Sequence, residues 1–142
     1  MFMSNYFVNK LIDYIFRKQP YPQNLTLFVG LHHTLGENGE EVNAGGYSRA
    51  SIPCSLSSWS GTQGPGTSTP SFGGTKLTTN NVAIQFPAPT EDWGSVVAIG
   101  IYDSDVGGNL LMYSALNDAT NIQAGDEGPI IEPANLRVQI DS

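Results

Sequence analysis

Asp103, Asp105, Gly107 and Asn109 have the strongest claim to chemistry in this chain. Carboxylates at alternate positions of a Gly-rich turn can converge on one hard cation, and this spacing matches the start of a calcium loop. No glutamate follows where such a site would close, and Asp, Gly and Asn are what a tight hairpin turn requires. Turn chemistry is therefore the better reading, and no metal is expected. His32 and His33 are the only two histidines. Neighbours on a strand point to opposite faces and do not easily chelate one ion, so structural or surface roles are expected of both. Glu91 and Asp92 diverge for the same reason and read as a solvated turn before Trp93. Cys54 is the single cysteine, which allows neither an internal disulfide nor a cysteine metal cluster. No nucleophile with a base, nucleophile elbow, phosphate loop or dinucleotide fingerprint is present. The expectation is a chain without catalytic residues and without a cofactor.

What remains is binding. Residues 55–75 are rich in Ser, Gly, Thr and Pro, and a loop of that length inside a folded body is either functional or loosely ordered. Trp59 and Phe72 stand inside it, where an aromatic either pins the loop to the body or offers an anchor to a partner. With Tyr6 and Tyr14 they form the set of candidate partner contacts. Exposed aromatics near acids could also bind a sugar, although nothing in the sequence places them on one face.

The elements that must position these residues are β-strands. The stretch from Trp93 to Leu116 holds two apolar runs, Ser95 to Tyr102 and Leu110 to Leu116, divided by turn-forming residues. This predicts a hairpin at the centre of an all-β body. The runs are nearly continuous in apolar residues, so both hairpin faces should be covered, one by the body and one by a helix, loop or neighbouring subunit. Trp93, Tyr47, Ile99, Ile101 and Leu111 are the expected structural core.

Upstream, Ser4 can cap a helix over 4–18 whose apolar residues Phe7, Val8, Leu11, Ile12, Ile15 and Phe16 recur at three-to-four spacing. It should dock on the β-body, the alternative being an exposed arm for another subunit. Leu25 to His32 reads as a strand, Tyr47 to Ile52 as a second, and Leu77 to Phe86 as a half-buried third. Between the first two, Glu37, Glu40 and Glu41 sit in Gly- and Asn-rich text and read as a solvated tip. Ala119 to Pro129 reads as polar loop. Ile130-Ile131 and Leu136 to Ile140 supply two final strands. The pattern is an antiparallel β-sandwich or jelly-roll-like domain with one N-terminal α-helix, a single domain over 1–142.

Charge narrows the partners. Six basic against thirteen acidic residues give 6 − 13 = −7. An acidic exterior is a poor surface for nucleic acid. No run approaches the ~20 apolar residues of a membrane span, and the N-terminus lacks a signal-peptide pattern, so neither membrane insertion nor secretion by that route is expected.

In their order along the chain, several short motifs resemble a family of small tailed-bacteriophage virion proteins, labelled tail fibre or head decoration proteins. They are the helix Asn9-Lys10-Leu11-Ile12-Asp13-Tyr14-Ile15-Phe16-Arg17, the strand Leu25 to Leu31, Gly45-Gly46-Tyr47-Ser48-Arg49, Val82 to Pro87, Trp93-Gly94, Gly100 to Asp103, and Gly107 to Leu111. The resemblance runs from about Asn9 to Ile140. It departs from the family pattern in the longer Ser/Gly/Thr/Pro stretch between Cys54 and Thr75, which marks that loop as the specialised contact. It implies a non-enzymatic virion protein, assembled in the host cytoplasm, that decorates the outer capsid surface. There it would act as a homotrimer bridging copies of the major capsid protein, as a cement protein does. The alternative it implies is a tail-fibre or adhesin domain that binds a host surface glycan or receptor, and a hydrolase is the remote third.

Overall fold

Ser4 is where the chain first commits to regular structure. Its backbone is extended and its side chain accepts a hydrogen bond from the Phe7 amide, the geometry of a helix cap. In the computed structural model, which describes residues 1–21, 23–61 and 77–139, helix α1 then spans Asn5–Phe16. Glu37 accepts from the Asn5 amide and places a carboxylate at the positive end of the helix. Lys18, at φ 55, turns the chain away after the helix. Ahead of α1 lies a short strand that sequence reading missed, β1 at Phe2–Met3. Phe72, most of the 55–75 loop and Ile140 lie outside the described residues.

The expected strands form, with shifted ends. They are β2 (Thr26–His32), β3 (Ala50–Pro53), β4 (Leu77–Thr79), β5 (Ile84–Gln85), β6 (Gly94–Tyr102), β7 (Leu110–Ile122), β8 (Ile130–Ile131) and β9 (Arg137–Gln139). Five of them pair antiparallel in the order β1-β7-β6-β2-β3. The ribbons β4-β9 and β5-β8 are separate, and also antiparallel. Mainly β with one N-terminal helix, the fold is sandwich-like. Val29, Leu31, Ile52 and Ile99 of the sheet share one buried cluster with Ile84, Phe86 and Leu136 from the ribbon side.

Three sequence expectations need correction. The run Leu77 to Phe86 is two strands, because Asn80 is buried and ties a turn between them. Its Nδ2 donates to the carbonyls of Val82 and Glu132, and its Oδ1 accepts from the Leu136 amide. Val82 accordingly faces solvent while Ile84 and Phe86 are buried. The strand expected at Tyr47 to Ile52 begins only at Ala50, since Tyr47 and Arg49 turn inward to a carboxylate. The polar text after Leu116 is not all loop, because β7 continues to Ile122. It does so across a bulge in which residues 116–119 lie between the partners of Val96 and Ala98.

Both faces of β6 are covered over Ala98 to Tyr102, as expected of the hairpin, but β7 is mostly exposed from Ala115 to Asn121, where its residues are largely polar. One face joins the shared cluster through Val96 and Ile99. On the other, Gly30 and Gly100 of neighbouring strands leave room that large side chains fill. A Cβ on Gly30 would meet Glu41, Tyr102 and the Tyr47 hydroxyl, and one on Gly100 would meet His32 and Leu110. The turn that returns the loop to the sheet needs glycine at Gly46, whose φ is +85 and whose Cβ would lie 2.6 Å from the Ala88 carbonyl.

Candidate functional site

Two constellations stand out, one polar and one apolar. The polar one is built by the loop between β2 and β3. Glu41 accepts from Tyr47 Oη at 2.5 Å and from Arg49 Nε at 2.9 Å through Oε2, while Arg49 Nη2 reaches Oε1 at 2.8 Å. The remaining guanidinium nitrogen, Nη1, donates to the carbonyls of Ser104 and Gly107. The guanidinium also stacks 3.4 Å over the Tyr102 ring, and the Tyr102 hydroxyl meets His32 Nε2 at 2.8 Å. Glu41 is thus no part of a solvated tip: it and Glu37 are anchors, and only Glu40 of the three is exposed.

Electrostatics follow from this packing. Burial pushes the Glu41 carboxyl up, but the hydrogen bonds from Arg49 and Tyr47 outweigh it and hold the group below the usual carboxylate range. Burial, with the Glu41 charge beside it, pushes the Tyr47 phenol well above its ordinary value. Burial also lowers His32, which is 0% exposed and whose Nδ1 has no hydrogen-bond partner. Each Glu41 oxygen already accepts a strong donor and Arg49 spans both loops. Such an arrangement fastens the β2–β3 loop to the hairpin turn and leaves no base poised for proton transfer.

Asp103 behaves in the same way. Its Oδ1 accepts from the Asn109 amide at 2.7 Å and its Oδ2 from the Asn109 side chain at 3.0 Å. Gly108, at φ +66, closes the turn where a Cβ would strike Ser104. The carboxylate that sequence spacing offered to a cation is spent on the hairpin. His33 Nδ1 lies 2.8 Å from the Ser95 carbonyl, and Asp92 Oδ1 accepts from the Ala124 amide. Cys54 is exposed. Among the described residues no helix is long and apolar enough to cross a membrane.

The apolar constellation is a groove of about 1000 Å³ between α1 and the sheet. Phe7, Leu11 and Tyr14 form one wall, on successive turns of a single helix face. Trp59, Leu56 and Cys54 form another, and Ile101, Leu111 and Met112 lie at the base. Tyr21 returns after the helix to pack against Phe7, ring centroids 6.1 Å apart. The polar atoms at the edge come from Gln23, Asn24, Ser55 and Thr78. A lining so largely apolar suits an apolar side chain or segment better than a hydrated sugar.

Two of the four candidate contact residues, Tyr14 and Trp59, are therefore brought to one groove. Tyr6 packs instead on the cluster of Ile101, Leu111 and Met112, with Lys10 Nζ 5.7 Å from its ring centre. Of the expected core, Trp93, Ile99, Ile101 and Leu111 are buried. Tyr47 is half-buried, edge-on to Trp93, whose Nε1 donates to the Gly45 carbonyl. Sequence reading missed the groove because its walls, residues 7–14 and 54–59, are distant along the chain. The one signal available was a helix with more apolar positions than one buried face needs.

A family model described as "Podophage GP4 fiber I protein gp80" matches residues 2–139. No curated protein matches the chain.

Proposed function

We propose, because the chain belongs to the podophage GP4 fiber I protein gp80 family over residues 2–139, that it is a non-enzymatic component of a phage fibre. A phage structural protein is what the family membership itself establishes, and the fibre is the finer assignment. The observation that carries it is a family match over nearly the whole chain, onto a body in which Glu41 and Arg49 hold two loops together. Its work is then mechanical. A fibre segment needs a stiff scaffold and a surface that its neighbours recognise, and the sheet around buried β6 supplies the first.

Decoration of the outer capsid surface, as a homotrimer contacting the major capsid protein, is the second reading. The body favours it in one respect, since its strands form a sheet and two short ribbons around one shared cluster rather than a repeated shaft. The two locations differ in stoichiometry. Quantitative mass spectrometry of purified particles against the major capsid protein separates them. A few copies per particle, with antibody label at the tail, supports the fibre. Hundreds of copies over the head would transfer the assignment to decoration.

A further inference from the structure

Half of the chain's six basic side chains lie on or just after one helix. Over residues 1–18, Lys10, Arg17 and Lys18 against Asp13 give 3 − 1 = +2. The remaining residues carry three basic and twelve acidic side chains, 3 − 12 = −9. Asp13 is already matched by Arg17 at 3.3 Å, one helical turn on.

The same helix is apolar on two adjoining stripes. Phe7, Leu11 and Tyr14 face the groove, and Val8, Ile12 and Ile15 run beside them. No residue of α1 is buried. Ile12, Ile15 and Phe16 are 45%, 64% and 78% exposed, and Leu56 across the groove is exposed too. A helix apolar over so wide an arc ordinarily lies inside a protein. One of twelve residues holds little stability of its own and draws it from what it packs against.

We infer that a second copy of this chain covers the outer stripe of α1 and the mouth of the groove, the basic helix end of one copy meeting the acidic body of the next. Charge selects this occupant. An anionic membrane surface would attract the helix but repel the acidic remainder of the chain. A copy of the chain offers an acidic surface to the helix and a basic helix in return. Contact between a helix and a different surface of the next copy is head-to-tail, and closes into a ring where the rotation permits. The inference concerns the isolated chain and is independent of where the protein sits in the particle.

Sedimentation velocity on the purified full chain, at low salt and over a range of concentrations, tests it. The expected species is a multimer of two or more 15.2 kDa chains. Ile15→Glu combined with Phe16→Glu should leave the 15.2 kDa monomer with unchanged circular dichroism. Arg17→Glu combined with Lys18→Glu, which disturbs no buried contact, should weaken association at low salt, as should added salt on the unaltered chain. A chain that stays monomeric at every concentration overturns the inference. So does retention of the multimer by both double variants, or flotation of monomer with phosphatidylserine vesicles.

Discussion

Glu41 and Arg49 bind two loops to the sheet, and removing either leaves the other charge partly buried without its partner. Loss of one member of a fully buried pair costs about 3–5 kcal/mol. The Glu41 side chain retains 24% of its exposure, so Arg49→Ala should lower the unfolding free energy by about 2–3 kcal/mol in urea titration. A loss near zero would mean that solvent screens the pair. The pH dependence has a definite sign. His32, whose pKa is lowered from 6.5 by burial, stays neutral where the unfolded chain takes up a proton, so stability falls as pH drops below that value. Glu41, also lowered, contributes stability that is present above its ordinary 4.5 and lost as pH falls through the folded value. Thermal melts should therefore decline from about pH 6.5 downward in two stages, and His32→Gln should flatten the first. Asp103 was legible in the sequence because its partner Asn109 belongs to the same turn. Glu41 was not, because acids in Gly-rich text look solvated until the chain folds Tyr47 and Arg49 back onto them.

At the next scale, elements differ in how firmly they are held. Ser4 caps α1 and its Oγ also donates to the Leu110 carbonyl, joining the helix to β7. Ser4→Ala should cost about 1–2 kcal/mol by denaturant titration, because one change removes a cap and a buried hydrogen bond. A value below about 0.5 kcal/mol would show that the helix frays without consequence for the body. Deleting Met1 to Lys18 removes β1 and uncovers Ile101, Leu111 and Met112. It should lower the melting temperature and raise binding of a hydrophobic dye, whereas an unchanged melt would make the segment a detachable arm. The helix and central hairpin were readable because a three-to-four apolar spacing and two apolar runs around a turn are local signals. The break at Asn80 was not readable, since it is made by contacts to Glu132 and Leu136 far along the chain. The bulge in β7 was hidden for a related reason, because Asn117, Asp118, Thr120 and Asn121 around it are polar and match loop text.

For the whole molecule, mainly β class and the N-terminal helix were legible from patterning, while the exposed groove was not, because it arises only when helix, sheet and the segment around Trp59 meet. The whole is an acidic body in which Glu41 and Arg49 tie two loops to the sheet, and whose helix side offers an apolar, partly basic contact. The central claim is that this chain is a structural part of the phage particle at the fibre. Its most direct test is quantitative mass spectrometry of particles washed in high salt, combined with antibody labelling in the electron microscope. The account predicts a fixed, low copy number relative to the major capsid protein, with label at the tail. Absence from washed particles would contradict it.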